Sequence, residues 1–213
     1  MNPDEPSSAA MWNQRFAPDA YAYGTAPNQW LKERIEALPL PDTPLALVPA
    51  DGEGRNAVWA ATQGWDAEVF DLSEEGAKKC QRLADQHKVS VVYEVDDLVR
   101  RSFPSHRYSL IACSWFHTPP AVRKKHMPRM LHGLKEGGHF VMEGYHTSQL
   151  GRSSGGPKSL PLLFDLNEVL NELNGPLAPD LKVLYAEVEE TVLDESDLHR
   201  GPAMVVRIHL VRV

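Results

Sequence analysis

Gly52 and Gly54 in VPADGEGRN stand between an apolar run and a helical pattern. A strand, turn and helix in that order aim backbone N–H groups at whatever lies beyond the carboxyl edge of a parallel sheet, so the stretch suits nucleotide-like binding. Gly52-x-Gly54-x-x-Ala57 also satisfies the dinucleotide fingerprint, and Asp71 follows Gly52 by 19 residues, near the spacing of a ribose-holding carboxylate. In YEVDDL, Asp96 and Asp97 end a further apolar run. A carboxylate there can accept from an adenine amino group while the amide of Leu98 donates to the ring. Bland alternatives stand beside these readings: a simple strand-to-helix turn, a helix cap at Asp71, and solvated aspartates. A P-loop kinase is excluded, because no Lys and Ser/Thr pair follows the glycines.

One acidic anchor for the sugar and a second for the base suit S-adenosylmethionine better than NAD. Other side chains with chemical potential fall after the later strands. His117 in SWFHTPP can orient or deprotonate a substrate, and Tyr145 and His146 in MEGYHT follow Glu143. Arg123 and Lys158 can attract an oxyanion. Trp12, Tyr21 and Tyr23 can form a lid that excludes water and packs on a sulfonium. Packing is the competing role for each. The basic helix AVRKKHMPRM reads as a solvated face, and the nine histidines and two cysteines offer no metal-ligand spacing.

The elements that must position these residues alternate. Strands are predicted at 45–48, 68–71, 90–95, 109–113 and 139–143, with helices near 56–62, 74–87, 121–134 and 165–173. A helix follows Pro27, and LKVLYAEVEETVL and AMVVRIHLVRV read as two antiparallel strands joined by DESDLHRGP. Alternation of this kind builds a mostly parallel sheet with helices on both faces. Residues 1–11 read as a mobile tail and 12–213 as one domain, of which 12–40 supply the aromatic lid and a helix; 151–159 read as a flexible patch.

A formal charge of −7 argues against a nucleic-acid or membrane-surface role. Two cysteines, no long apolar run and no signal-peptide pattern suggest a soluble protein of the reducing cytoplasm, as monomer or homodimer.

Taken together, GEGRNAVW, VFDLS, DDL, WFHTPP, LKEGGHFVMEGY and GGPK resemble the class I S-adenosylmethionine-dependent methyltransferases, and within them the bacterial tellurite-resistance methyltransferase-like group. The resemblance implies a three-layer Rossmann-like α/β fold with a seven-stranded sheet of order 3-2-1-4-5-7-6, strand seven antiparallel. It implies S-adenosylmethionine held by Ala50, Asp51, Gly52, Gly54 and Asn56, by Asp71 and Leu72, by Asp96, Asp97 and Leu98, and by Cys113. It further implies methyl transfer to a small molecule such as a thiol or a selenium or tellurium oxyanion, with His117, Tyr145 and Arg123 as catalytic candidates. Trp12, Tyr21, Tyr23, His146 and Lys158 then line the substrate pocket. The chain departs from the family's acidic-x-Gly-x-Gly-x-Gly pattern, having Val48 and Ala50 at the first two positions. An NAD-dependent oxidoreductase and a non-catalytic adenosyl-binding module are the alternatives.

Overall fold

The computed structural model describes residues 8–176 and 178–213. Seven strands form one sheet: β1 Leu45–Pro49, β2 Asp66–Asp71, β3 Val91–Val95, β4 Tyr108–Ser114, β5 Leu134–Tyr145, β6 Leu181–Ser196 and β7 His199–Arg212. Their order is β3-β2-β1-β4-β5-β7-β6; β1 to β5 pair in parallel, and β7 runs antiparallel to both β5 and β6. The carboxyl ends of β1 to β5 and the tip of the β6–β7 hairpin therefore meet at one rim.

Alternation along β4 divides the core between two faces. Leu110 and Ala112 pack with Trp30, Leu31 and Ile35 of α2 (Gln29–Glu36) and Ala60 of α3 (Arg55–Thr62). Ile111 and Cys113 pack on the other face with Met127, Met130 and Leu131 of α5 (Pro120–Leu131) and Val169 and Leu173 of α6 (Leu166–Leu173). α4 (Glu74–His87) starts where Ser73 accepts from the Gly76 amide and two glutamates fill the first turn, both favourable at a helix N-terminus.

Three details differ from the sequence expectation. Residues 8–11 of the expected tail join residues 12–16 of the expected lid in helix α1 (Ser8–Phe16), whose Phe16 is buried; residues 1–7 lie outside the described residues. β5 begins at Leu134 and not near the expected 139, so LKEGG is already strand, with a register shift against β4 between Tyr108 and Leu110. Most of the expected link DESDLHRGP is strand, so the last two strands form one long hairpin. Among the described residues no helix is long and apolar enough to cross a membrane.

Candidate functional site

The turn after β1 is built from strained backbone held by carboxylates. Gly52 (φ +55°) and Gly54 (φ +88°) are left-handed, and a Cβ on Gly54 would run into the Cys80 side chain of α4. Ala50, where the family pattern has glycine, is left-handed too (φ +53°), with its amide donating to Phe70 O at 2.7 Å. That conformation costs an L-residue about 1–2 kcal/mol, partly offset in glycine by the entropy of its unfolded chain. Ala50→Gly is therefore expected to stabilise the fold by roughly 0.5–1 kcal/mol, read as a higher urea midpoint at unchanged slope.

α3 begins at Gly54, which has no side chain to cap it, and Asp51 does so instead. Its carboxylate accepts from the amides of Asn56 (3.1 Å) and Ala57 (2.8 Å) and from Asn56 Nδ2 (2.6 Å), while burial pushes its pKa up to about 7. Asp71 stands at the end of β2, with Oδ2 accepting from Gly52 N and Oδ1 from Ser73 N, each at 3.0 Å. Burial raises its pKa against those hydrogen bonds.

These groups fit a nucleoside. Each Asp71 oxygen accepts one N–H and keeps a lone pair, so the carboxylate, already aimed by two amides, can still accept from two ribose hydroxyls. Asp96 Oδ1 accepts from Asp97 N, and Oδ2 has no hydrogen bond among the described residues, leaving it for an adenine amino group. Asp97 is spent on its own turn, accepting from Val99 N, Arg100 N and Arg100 Nε; these outweigh the burial that would raise its pKa, and it is lowered. Leu98 is buried beside this loop, Leu72 is half-buried, and Cys113 lies in the α5/α6 core with its thiol pKa raised by burial.

The N-terminal segment covers the turn. The Phe16 ring sits 2.8 Å from where a Gly52 Cβ would be, stacks with Trp12 (centroids 5.4 Å apart) and meets Tyr23 edge-on. Glu53, the residue between the glycines, anchors the cover: Oε2 accepts from the Ala22 amide, and Oε1 pairs with Lys79 Nζ at 2.6 Å, both side chains nearly fully buried. Lys79 also donates to Ala20 O, and Tyr21 donates to Lys79 O. Two cavities, of about 270 and 420 Å³, lie away from the rim, beside α3 and between α5 and α6.

The hairpin supplies the other half of the rim. His199 Nδ1 lies 3.3 Å from Glu195 Oε2, and the same oxygen accepts from Arg55 Nη2 (2.7 Å) and Trp115 Nε1 (3.0 Å). Glu195 Oε1 accepts from Asn28 Nδ2 at 2.7 Å, and Asn28 Nδ2 also donates to Glu143 Oε2 at 2.5 Å. Arg207 joins Glu143 to Glu189, at 2.7 Å each. Glu195 would rise with burial, but His199 and Arg55 hold it down at about 2, so it is ionised. Burial lowers the His199 pKa against the pull of Glu195, leaving the ring neutral at pH 7. Tyr23, Trp115 and Tyr145 wall the imidazole, with centroids 4.8, 4.8 and 5.6 Å away. Trp115 has φ +57°, an outlier for a bulky residue, of the kind that clusters at functional sites.

Of the catalytic candidates expected from the sequence, Tyr145 walls the His199 imidazole, while His117 and Arg123 stand near the same rim with their polar groups engaged. His117 is half-buried, with Nδ1 donating to Leu162 O (2.8 Å) and Nε2 accepting from Tyr145 N (3.1 Å), and desolvation of its ring pushes its pKa down to about 4. Tyr145 donates its hydroxyl to Ser154 O, in the glycine-rich segment 151–159, whose Gly155 and Gly156 pack on its ring. Arg123 forms a two-bond pair with Glu172 (2.5 and 3.1 Å) and lies over Phe164. His146 caps the short helix 147–149, and Lys158 is an exposed side chain reaching Arg152 O.

His117 carries a stability prediction. It binds its second proton only after leaving its buried pins, so its contribution is present above pH 6.5 and is lost as pH falls toward 4. A pKa drop from 6.5 to about 4 is worth about 3 kcal/mol. Melting curves between pH 7 and 4.5 should show a shallower loss for His117→Gln, which can keep both hydrogen bonds, than for the unaltered chain.

Asn28, Arg55, Trp115, Glu195, His199 and Arg207 were absent from the sequence expectation. No local signal marks them, since they come together only when the hairpin folds over the rim; Trp115, two residues before His117 in SWFH, lies nearest to one. Among the described residues no group of three or more His, Cys, Asp or Glu is placed to hold a metal ion.

Residues 46–138 match the model of a methyltransferase domain family. No curated protein sequence matches the chain. Among solved structures, TehB from Haemophilus influenzae superposes with a TM-score of 0.67 at 12% identity over 95% of this chain and 66% of that one. An S-adenosylmethionine-dependent methyltransferase from Mesorhizobium loti gives 0.61 at 18% identity, over 84% and 96%. A structure described by the conversion of a disulfide bond into a thioacetal group during echinomycin biosynthesis gives 0.71 at 12% identity, over 97% and 92%.

Proposed function

We propose that the chain, whose residues 46–138 match a methyltransferase domain, is a class I S-adenosylmethionine-dependent methyltransferase, and that it methylates a small thiol whose proton is taken by His199. The single observation that carries this reading is the imidazole of His199, held by an ionised carboxylate beneath three aromatic rings.

When bound, the cofactor supplies a methyl group already activated on a sulfonium. The chain supplies binding, orientation and a proton acceptor. Asp71, aimed by the Gly52 amide, would accept from the sugar hydroxyls, and Asp96, through its open Oδ2, from the adenine amino group. Glu195 selects the His199 tautomer protonated on Nδ1, which leaves the Nε2 lone pair to receive the thiol proton, and it stabilises the imidazolium that results. Tyr23, Trp115 and Tyr145 keep water from the nascent thiolate and offer a polarisable surface to sulfur.

A thiol is favoured over a selenium or tellurium oxyanion because the guanidinium groups at the rim are already neutralised, Arg55 by Glu195 and Arg207 by Glu143 and Glu189. The solved structure described by disulfide-to-thioacetal conversion supports sulfur chemistry on this fold. The substrate is read as a free small molecule, with neither nucleic acid nor membrane involved, in keeping with the acidic chain.

Calorimetric titration with S-adenosylmethionine, its demethylated product and NAD, followed by methyl-transfer assays over small thiols, selenite, tellurite and amines, tests the reading. Binding of the first two ligands and transfer to thiols is expected. Transfer to tellurite with thiols inert would replace the thiol, and binding of NAD alone would overturn the whole assignment.

A further inference from the structure

Asn28 is fully buried at the start of α2, and its side chain does two separate jobs. Oδ1 accepts from the Leu31 amide at 3.0 Å as the helix N-cap. Nδ2 spends both of its protons on carboxylates, Glu195 Oε1 at 2.7 Å and Glu143 Oε2 at 2.5 Å, across a sequence separation of 167 residues in the first case. The backbone amide of Asn28 is fixed in turn by Asn56 Oδ1 at 2.8 Å. A capping serine would serve the helix equally well. The amide group does something a serine cannot, which is to donate to two anionic groups at once.

We propose that Asn28 is the positioning residue of the His199–Glu195 pair: it fixes Glu195 Oε1 so that Oε2 faces the imidazole. This rests on the reading of His199 as base. Four donors converge on Glu195, namely Asn28 on one oxygen and Arg55, Trp115 and His199 on the other, so its rotation is fixed only while Oε1 is held. Without the amide, the charge-assisted pair with Arg55 becomes the strongest remaining constraint. The carboxylate then turns to make that contact bidentate, and its hold on His199 Nδ1 loosens. Glu143 gives the amide its own fixed reference, because Arg207 holds the second Glu143 oxygen.

The test is Asn28→Ser, which keeps a cap for α2 and removes both donors, compared with Glu195→Gln and the unaltered chain. The readout is the NMR titration and tautomer of His199, which needs no methyl acceptor. The groups facing that ring are Glu195 from β6, Arg55 from α3, Tyr23 from the N-terminal cover, Tyr145 from β5, Trp115 after β4 and the nearby His117. Glu195 is the one that draws the proton onto the imidazole. In Asn28→Ser the His199 midpoint should move to lower pH and the Nδ1–H form should lose its dominance, with cofactor-product affinity within twofold of the original. Once an acceptor is in hand, kcat should fall about 10–100-fold at similar KM. Asn28→Ala, which loses the cap as well, should move His199 by the same amount and differ only in melting temperature. If Glu195→Gln moves His199 and the folded Asn28→Ser variant does not, the positioning role is overturned while the base reading stands. If Glu195→Gln leaves His199 unchanged, the base reading itself fails.

Discussion

His199→Gln lowers the methyl-transfer rate by about 10²–10⁴-fold, the usual contribution of a positioned general base, while leaving affinity for the demethylated cofactor unchanged. The separation follows from where the two halves of the rim originate. Asp71 and Asp96, the proposed sugar and base acceptors, stand at the ends of β2 and β3, whereas His199 opens β7 on the far side of β4 and β5. Glu195→Gln should cost somewhat less, since an amide can still orient Nδ1–H but cannot stabilise an imidazolium as an ionised carboxylate does. The pH profile provides the check. Burial sets the His199 midpoint below the ordinary 6.5, so kcat/KM should hold level from neutral pH down past 6.5 and fall only below it. A profile that keeps its acid limb in His199→Gln would show that another group takes the proton.

Lys79→Met produces the largest loss of stability, about 3–5 kcal/mol, because Glu53 is then left buried without its counter-charge. For a chain of this length that corresponds to a melting temperature lower by roughly 10 °C. The effect should be felt first in the N-terminal cover, since Lys79 holds Ala20 O and Glu53 holds the Ala22 amide. Hydrogen exchange at residues 20–23 should therefore accelerate more than exchange in β4. Combining Lys79→Met with Glu53→Gln should recover part of the loss. Arg82→Ala, which removes the exposed pair with Asp19, serves as the control and should change stability by less than about 0.5 kcal/mol.

The fold was legible because its signals are local. Strand period, a proline ahead of α5, Ser73 with two glutamates at α4 and the glycines before α3 all lie within a few residues of the elements they specify. The sheet order came from the resemblance, and the observed order agrees with it. Helix α1 was missed because a stretch rich in Ser, Pro and Ala carries little periodicity; it is helical because Phe16 buries against Gly52 and Asn13 accepts from Ser73 and Glu75 at the start of α4. Asp71 and Asp96, the proposed nucleoside acceptors, are legible as carboxylates at strand ends. Glu195, His199 and Arg207 were not, for the opposite reason: in sequence they are ordinary polar residues of a two-strand tail, and only register with β5 brings Arg207 opposite Glu143. His117, Tyr145 and Arg123 drew notice by their position after strands, yet their partners, Leu162, Ser154 and Glu172, lie 45, 9 and 49 residues away, beyond any local pattern.

The groups proposed to hold the methyl donor are drawn from residues 50 to 98, and the proposed proton acceptor with its carboxylate from the β6–β7 hairpin. Specificity for the acceptor can thus be exchanged without disturbing the donor, by grafting residues 181–212 from one scaffold of this topology onto another. Such a chimera needs Asn28, Arg55 and Trp115 retained from the recipient, since these are its three direct handholds on the transplanted Glu195.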